Sequence, residues 1–210
     1  MPENDPIIRV LVVDDHPLMR SGIVAVVDRE SDMTVVGEVG DGESALARYD
    51  ELRPDVTLMD LQMPGMGGVE TIARLRKRHA DAAIVVLTTY KGDVQALKAI
   101  RAGAGGYLLK SAVRTELVDT IRSVRGGRPY ILPEVAADIA AHLIDETLTE
   151  RETAVLACVA GGNSNRAVAR ELGVTEDTIK AHMSNVLAKL KAQDRTHAVT
   201  IAVRRGIIEP

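Results

Sequence analysis

The stretch Val56-Thr-Leu-Met-Asp-Leu-Gln-Met-Pro-Gly-Met-Gly-Gly68 decides how the rest of the chain is read. A short apolar run of strand formers carries one carboxylate, Asp60, to the point where Pro64, Gly65, Gly67 and Gly68 break the pattern. The side chain is therefore expected at the carboxyl end of a strand, where open α/β sheets bind ligands. Taken alone, Asp60 could equally cap a helix starting near Gly68. Its neighbours along the chain decide between the two.

Towards the amino terminus, Ile7-Ile-Arg-Val-Leu-Val-Val13 is a nearly continuous apolar run ending in Asp14-Asp15-His16-Pro17, the pattern of a buried parallel strand. Helical spacing follows over residues 18–27. The alternation then repeats: strand 34–39 with helix 43–52, strand 56–59 with helix 69–78, strand 84–87 with helix 94–102, strand 106–110 with helix 113–124. Strands alternating with helical segments imply right-handed crossovers and a parallel sheet covered on both faces. The expected fold is a flavodoxin-like, doubly wound, five-stranded parallel sheet over residues 1–125.

That topology gathers the unusual residues. Asp14 and Asp15 end the first strand, Asp60 the third, Thr88 the fourth and Lys110 the fifth, so all lie at one carboxyl edge. First and third strands are neighbours at the switch point, which brings three carboxylates together. Their mutual repulsion would raise their pKa values, and an oxygen-seeking divalent cation relieves it. Mg2+ suits such a site, with Asp15 and Asp60 as direct ligands, Asp14 through water and Gln62 through its main-chain carbonyl. Asp60 beside a cation and the Lys110 ammonium is an activated nucleophile for phosphoryl transfer, with Thr88 offering a hydroxyl to the same oxygen.

Composition narrows the classes. Phe and Trp are absent and aromatics make up 2% of residues, so no aromatic-lined pocket for a large organic ligand is expected. Residues 1–146 carry 17 Lys and Arg against 23 Asp and Glu, whereas residues 147–210 carry 9 against 7, and this change of sign suggests two domains with different partners. The lone Cys158 excludes a disulfide framework and fits a reduced cytoplasm. No signal segment or membrane-spanning run is evident, so a cytoplasmic location is expected.

The motifs Val12-Val-Asp-Asp-His-Pro17, Leu58-Met-Asp-Leu-Gln-Met-Pro-Gly65, Val86-Leu-Thr88 and Gly106-Tyr-Leu-Leu-Lys110 resemble the receiver domain of two-component response regulators, over roughly residues 7–125. The resemblance implies that Asp60 is the phosphoacceptor and a sensor histidine kinase the donor. It also implies that Thr88 and Tyr107 form the switch pair. The residues themselves suggest only that Tyr107 is a half-buried aromatic. Ser111 follows Lys110 where many receivers carry Pro, so a cis peptide is not expected there. Tyr90 is bulkier than the residue often found at its place and is expected to shield the phosphoryl group from water.

From Gly126 the alternation stops, and residues 126–146 read as a linker with a short helical connector over 133–145. Thr149 to Glu152 is a capping-box pattern opening a helix. A second helix follows Ser164, and a third begins at Thr175 after a Gly-containing turn, which makes a helix-turn-helix in a small all-α domain over residues 147–210. In the third helix Ile179, Met183, Val186, Leu187 and Leu190 share one face, leaving Lys180, Ala181, Ser184 and Ala188 on the other. A free Lys with small residues suits a major groove, although an amphipathic helix with a solvated face reads the same way.

Leu148-Thr-Glu-Arg-Glu152, Thr178-Ile-Lys-Ala-His182, Asn185-Val-Leu-Ala-Lys-Leu190 and Asp194-Arg-Thr196 resemble the LuxR-type helix-turn-helix. By that resemblance Lys180, Ala181 and Ser184 face bases of double-stranded DNA, Thr175, Thr178 and Lys189 touch phosphates, and His182 supports packing. Thr196 caps a last helix through which two such domains pair, so a homodimer on promoter DNA is implied. The two halves together resemble response regulators of the NarL/FixJ type. Rival readings are a Mg2+ phosphohydrolase, disfavoured because Gln62 stands where a second acid is usual, an acyl-ligand regulator, and a scaffold that never accepts phosphate.

Overall fold

The computed structural model describes residues 6–89, 93–131, 133–142 and 147–208. The chain folds as two units, the first made of the residues up to Thr89 and of Ala96–Pro133, the second of the remainder.

The first unit is a parallel sheet in the order β2-β1-β3-β4-β5-β6. Its strands are β1 (Ile8–Val13), β2 (Met33–Val39), β3 (Val56–Asp60), β4 (Ile84–Thr88), β5 (Gly106–Leu109) and β6 (Tyr130–Ile131). The helices are α1 (Pro17–Val27), α2 (Gly42–Leu52), α3 (Gly68–Arg78), α4 (Asp93–Ala102, in this unit from Ala96 on) and α5 (Val113–Arg125). The first five strands follow the doubly wound order, which reverses between β1 and β3.

Strand alternation divides the core between the two faces of the sheet. Val10, Val12, Val56, Leu58, Val85, Leu87 and Leu108 face one way, packed on Ile23 and Val27 of α1 and on Leu117 and Ile121 of α5. All five residues of β3 are buried, as are all five of β4, as continuous apolar runs in a covered parallel sheet require.

β6 is a strand beyond the five expected. Tyr130 and Ile131 pair with Gly106 and Tyr107 of β5, and the Tyr130 hydroxyl donates to Glu116 Oε2 at 2.7 Å. Two residues after Arg128-Pro129 carry no periodicity, so only the pairing with β5 reveals them. The linker of the sequence reading thus contributes to the sheet before α6 (Pro133–His142) begins.

The second unit contains α7 (Glu150–Ala160), α8 (Asn165–Glu171), α9 (Glu176–Leu190) and α10 (Arg195–Arg204). Val155, Leu156, Val168, Ile179, Met183, Val186, Leu190, Ala198 and Ala202 form its core. The capping box is present in full: Glu152 N donates to Thr149 Oγ1 at 3.2 Å and Thr149 N to Glu152 Oε2 at 2.8 Å. Ser164 and Thr175 cap α8 and α9 as expected.

The cap of α10 corrects the sequence reading. Asp194, not Thr196, accepts from the main-chain N–H of His197 at 2.8 Å, and Thr196 lies inside the helix. A carboxylate two residues earlier is the stronger acceptor for the free N–H groups of the first turn. Lys191, after α9, takes a left-handed conformation at φ 53°, where glycine is usual.

Candidate functional site

β1 ends at Val13, β3 at Asp60 and β4 at Thr88, and β5 hands over to a 3-10 turn at Lys110. The sheet therefore presents all the expected edge residues on one rim. Asp60 is buried there at 2% exposure and Asp14 is fully buried. Lys110 Nζ bridges them, 2.7 Å from Asp60 Oδ2 and 2.8 Å from Asp14 Oδ2. The Gln62 main-chain N–H donates to Asp60 Oδ1 at 3.2 Å, which fixes the other oxygen. No peptide bond among the described residues is cis, Lys110-Ser111 included.

The loop after β3 is held against Asp60 by Gly68, at the start of α3. A methyl group on Gly68 would overlap the Asp60 carbonyl oxygen and stand 2.8 Å from the Leu61 Cα. Glycine is needed here for close approach rather than for backbone conformation.

Asp14 and Asp15 do not cap α1. Its N-cap is His16, whose side chain makes no capping bond, with Pro17 behind it. The His16 main-chain N–H instead donates to Asp14 Oδ1 at 2.8 Å, and Arg20 Nη1 donates to the Asp14 carbonyl at 2.6 Å. Asp14 is thereby held in place at the site.

Burial pushes the Asp60 carboxyl above the usual range, Lys110 and the Gln62 N–H opposing and the Asp14 charge reinforcing it. Burial acts to lower Lys110, but the two carboxylates outweigh it and leave the ammonium above its ordinary value. Two buried carboxylates, Asp14 and Asp60, thus share one lysine ammonium. Asp14 Oδ2 faces the Lys110 ammonium at 2.8 Å, and Asp15 turns Oδ1 to His16 Nδ1 at 2.6 Å. One ligand atom from each of Asp14, Asp15, His16 and Asp60 lies within 4.8 Å of the others. These residues fit a divalent cation.

Thr88 and Tyr107 also meet. They share a hydrogen bond, and burial pushes the Tyr107 phenol up to about 12. Tyr107 is wholly buried rather than half-buried, because β5 lies inside the sheet between β4 and β6. Tyr90 lies outside the described residues.

In the second unit the face of α9 opposite the core is exposed at Lys180, Ala181, Ser184 and Ala188, and also at Asn185, to which the sequence reading gave no role. Lys180 Nζ rests 2.9 Å from Asp177 Oδ1, an open surface pair. Thr175 and Thr178 join their hydroxyls at 2.8 Å at the start of α9. His182 is part-buried. Lys189, expected at a phosphate, bonds within the protein: its ammonium lies 2.7 Å from Glu152 Oε2 and donates to the Thr147 carbonyl at 3.3 Å.

Two residues at the acid site were passed over in the sequence, His16 and Arg20. His16 was legible as the third polar residue after the first strand. Arg20 gave no signal, since one arginine in a helix is ordinarily a solvated charge.

No helix among the described residues is long and apolar enough to cross a membrane. The family model of the response regulator receiver domain matches residues 10–122, and that of the LuxR family of bacterial regulatory proteins matches residues 146–202. The uncharacterized transcriptional regulatory protein YxjL of Bacillus subtilis (strain 168) is 40% identical over 213 residues, covering 96% of this chain and 98% of its own. The transcriptional regulatory protein LiaR of the same organism is 37% identical over 209 residues, covering 96% and 99%. Among solved structures, the response regulator ChrA of a heme-sensing two-component system is 35% identical, with a TM-score of 0.58 and coverage of 96% and 99%. The chain therefore belongs to the two-component response regulators, as a phosphoacceptor rather than a classical enzyme, and within them to the DNA-binding transcriptional regulators with a LuxR-type helix-turn-helix.

Proposed function

We propose that Asp60 accepts a phosphoryl group from the phosphohistidine of a sensor histidine kinase and that the resulting charge controls binding of the second unit to promoter DNA. The observation that carries this reading is Lys110 Nζ, held between Asp60 Oδ2 and Asp14 Oδ2 at 2.7 and 2.8 Å. An Asp60 oxygen attacks the phosphorus, a P–O bond forms, and the P–N bond to the donor imidazole breaks. The imidazole leaves with the electron pair and takes up a proton. Lys110 exchanges its contact with Asp60 for one with a phosphoryl oxygen, and the Gln62 N–H keeps the carbonyl oxygen of the new acyl phosphate in place.

Asp14, Asp15, Asp60 and the main-chain carbonyl of Gln62 would hold Mg2+. Bound there, the ion supplies charge neutralisation to the transferring group. Thr88 turns its hydroxyl to the phosphoryl oxygen, and the hydrogen bond it shares with Tyr107 changes in consequence. The switch thus runs from Asp60 through Thr88 to the Tyr107 ring.

On the DNA side, Lys180, Ala181 and Ser184 read base edges in the major groove, with Thr175 and Thr178 at the backbone. The exposed small-residue face of α9 supports this assignment. Two copies, paired when phosphorylated, would read two half-sites. A cytoplasmic location follows from the kinase and DNA partners.

The test is acetyl phosphate with Mg2+, followed by intact mass and by binding to a promoter fragment. Wild type is expected to gain one phosphoryl group and bind more tightly, and Asp60→Asn to do neither while keeping its circular dichroism. A variant that still takes up phosphate places the acceptor elsewhere. Wild-type protein that never takes it up favours the scaffold reading.

A further inference from the structure

His16 stands at the acid site without a part in the reading above. Its ring Nδ1 lies 2.6 Å from Asp15 Oδ1 and 3.6 Å from Asp14 Oδ1. The rest of the side chain meets solvent, at 70% exposure. The backbone beneath it is fixed twice, by Pro17 at the start of α1 and by the bond from His16 N–H to Asp14. The ring is therefore presented to the carboxylates by a rigid turn, with one nitrogen inward.

In an octahedral site with ligands at about 2.1 Å, adjacent donors stand about 3 Å apart. The two distances from Nδ1 bracket that spacing. The facing oxygen, Asp15 Oδ1, has this ring nitrogen at 2.6 Å, while Asp14 Oδ2 faces the Lys110 ammonium at 2.8 Å. An imidazole nitrogen among carboxylates does little for Mg2+, which takes oxygen, and much more for first-row transition ions.

We propose that His16 Nδ1 is a nitrogen ligand of the cation held by Asp14, Asp15 and Asp60, which makes the site prefer Mn2+ over Mg2+. This rests on the reading of the acid cluster as a divalent-cation site. It adds an imidazole to an all-oxygen ligand set, and with it a preference among ions.

The experiment uses the full chain. Binding of Mn2+ is followed by the paramagnetic resonance of the free ion, with Mg2+ as competitor, and nitrogen coupling to bound Mn2+ is read by pulsed resonance. Wild type is expected to show one imidazole coupling. His16→Ala should lose it and bind Mn2+ about tenfold more weakly, with Mg2+ affinity nearly unchanged. His16→Asn keeps a polar side chain at the same turn and should likewise lose the coupling. A coupling that persists in His16→Ala, or an unchanged ratio of Mn2+ to Mg2+ affinity, overturns the proposal, as does an equal loss of both ions. Mg2+ binding with no nitrogen coupling in wild type overturns the role of His16 alone. Failure of wild type to bind either ion overturns the cation site itself.

Discussion

Glu152 Oε2 and Lys189 Nζ lie 2.7 Å apart, joining the first turn of α7 to the last turn of α9. Glu152 is 4% exposed and also closes the capping box. α9 is thus locked to α7. Lys189→Met leaves the Glu152 charge buried with only the Thr149 bonds, and is expected to cost about 1–3 kcal/mol, below the value for a fully buried pair because Lys189 is partly exposed. Hydrogen exchange of the α7 amides in the full chain measures it. The double variant Glu152→Leu/Lys189→Met should recover part of the loss, and unchanged α7 protection in the single variant would show the pair to be incidental.

The same pair sets a pH dependence. Burial acts to raise the Glu152 carboxyl, but hydrogen bonds from Lys189 and Thr149 outweigh it and hold it below the usual carboxylate range. A folded-state value below the unfolded one means that the unfolded chain binds the extra proton, so stability rises with pH in this window. The contribution is fully present above the ordinary glutamate value and is lost as pH falls through the lowered one. Acid unfolding of the helical unit should therefore begin at higher pH in Glu152→Gln, with a shallower slope. An acid limb identical to wild type would remove Glu152 as its cause.

Gly68→Ala places a methyl group on the Asp60 carbonyl oxygen and near the Leu61 Cα, both parts of the backbone. Neither can yield as a flexible side chain would. The expected result is a loss of about 1–3 kcal/mol in urea unfolding, together with slower uptake from acetyl phosphate. Full stability with a normal labelling rate would mean that the loop relaxes freely.

Thr57 presents a fully buried hydroxyl that has no hydrogen-bond partner among the described residues. Thr57→Val keeps the shape and removes the desolvated oxygen. It should be neutral or stabilising by up to about 1–2 kcal/mol, raising the thermal midpoint of the first unit. A clear loss of stability would reveal a partner for that oxygen, such as a buried water.

The alternation of apolar runs with helical spacing was enough to read five strands and their helices, because each signal is local: period two or a continuous run for a strand, period 3.6 for a helix. The rim of Asp14, Asp15, Asp60, Thr88 and Lys110 was readable for the same reason, since a parallel sheet places every strand end on one edge. The Thr149 to Glu152 capping box was equally plain, being four residues of sequence. The α10 cap was misplaced because Asp194 and Thr196 are both good capping residues two positions apart, and local preference does not rank them securely.

The amino-acid sequence by itself determined the two-part architecture, the acid rim and the apolar face of α9, all of which follow from spacing along the chain. Only the tertiary structure decided that Tyr130 and Ile131 join the sheet, that Tyr107 is wholly enclosed, that His16 turns Nδ1 towards Asp15, and that Lys189 belongs to Glu152. Each depends on which groups packing brings side by side, Lys189 and Glu152 being 37 positions apart. A charge in a buried setting binds the partner that desolvation leaves within reach, and no local pattern records which partner that is.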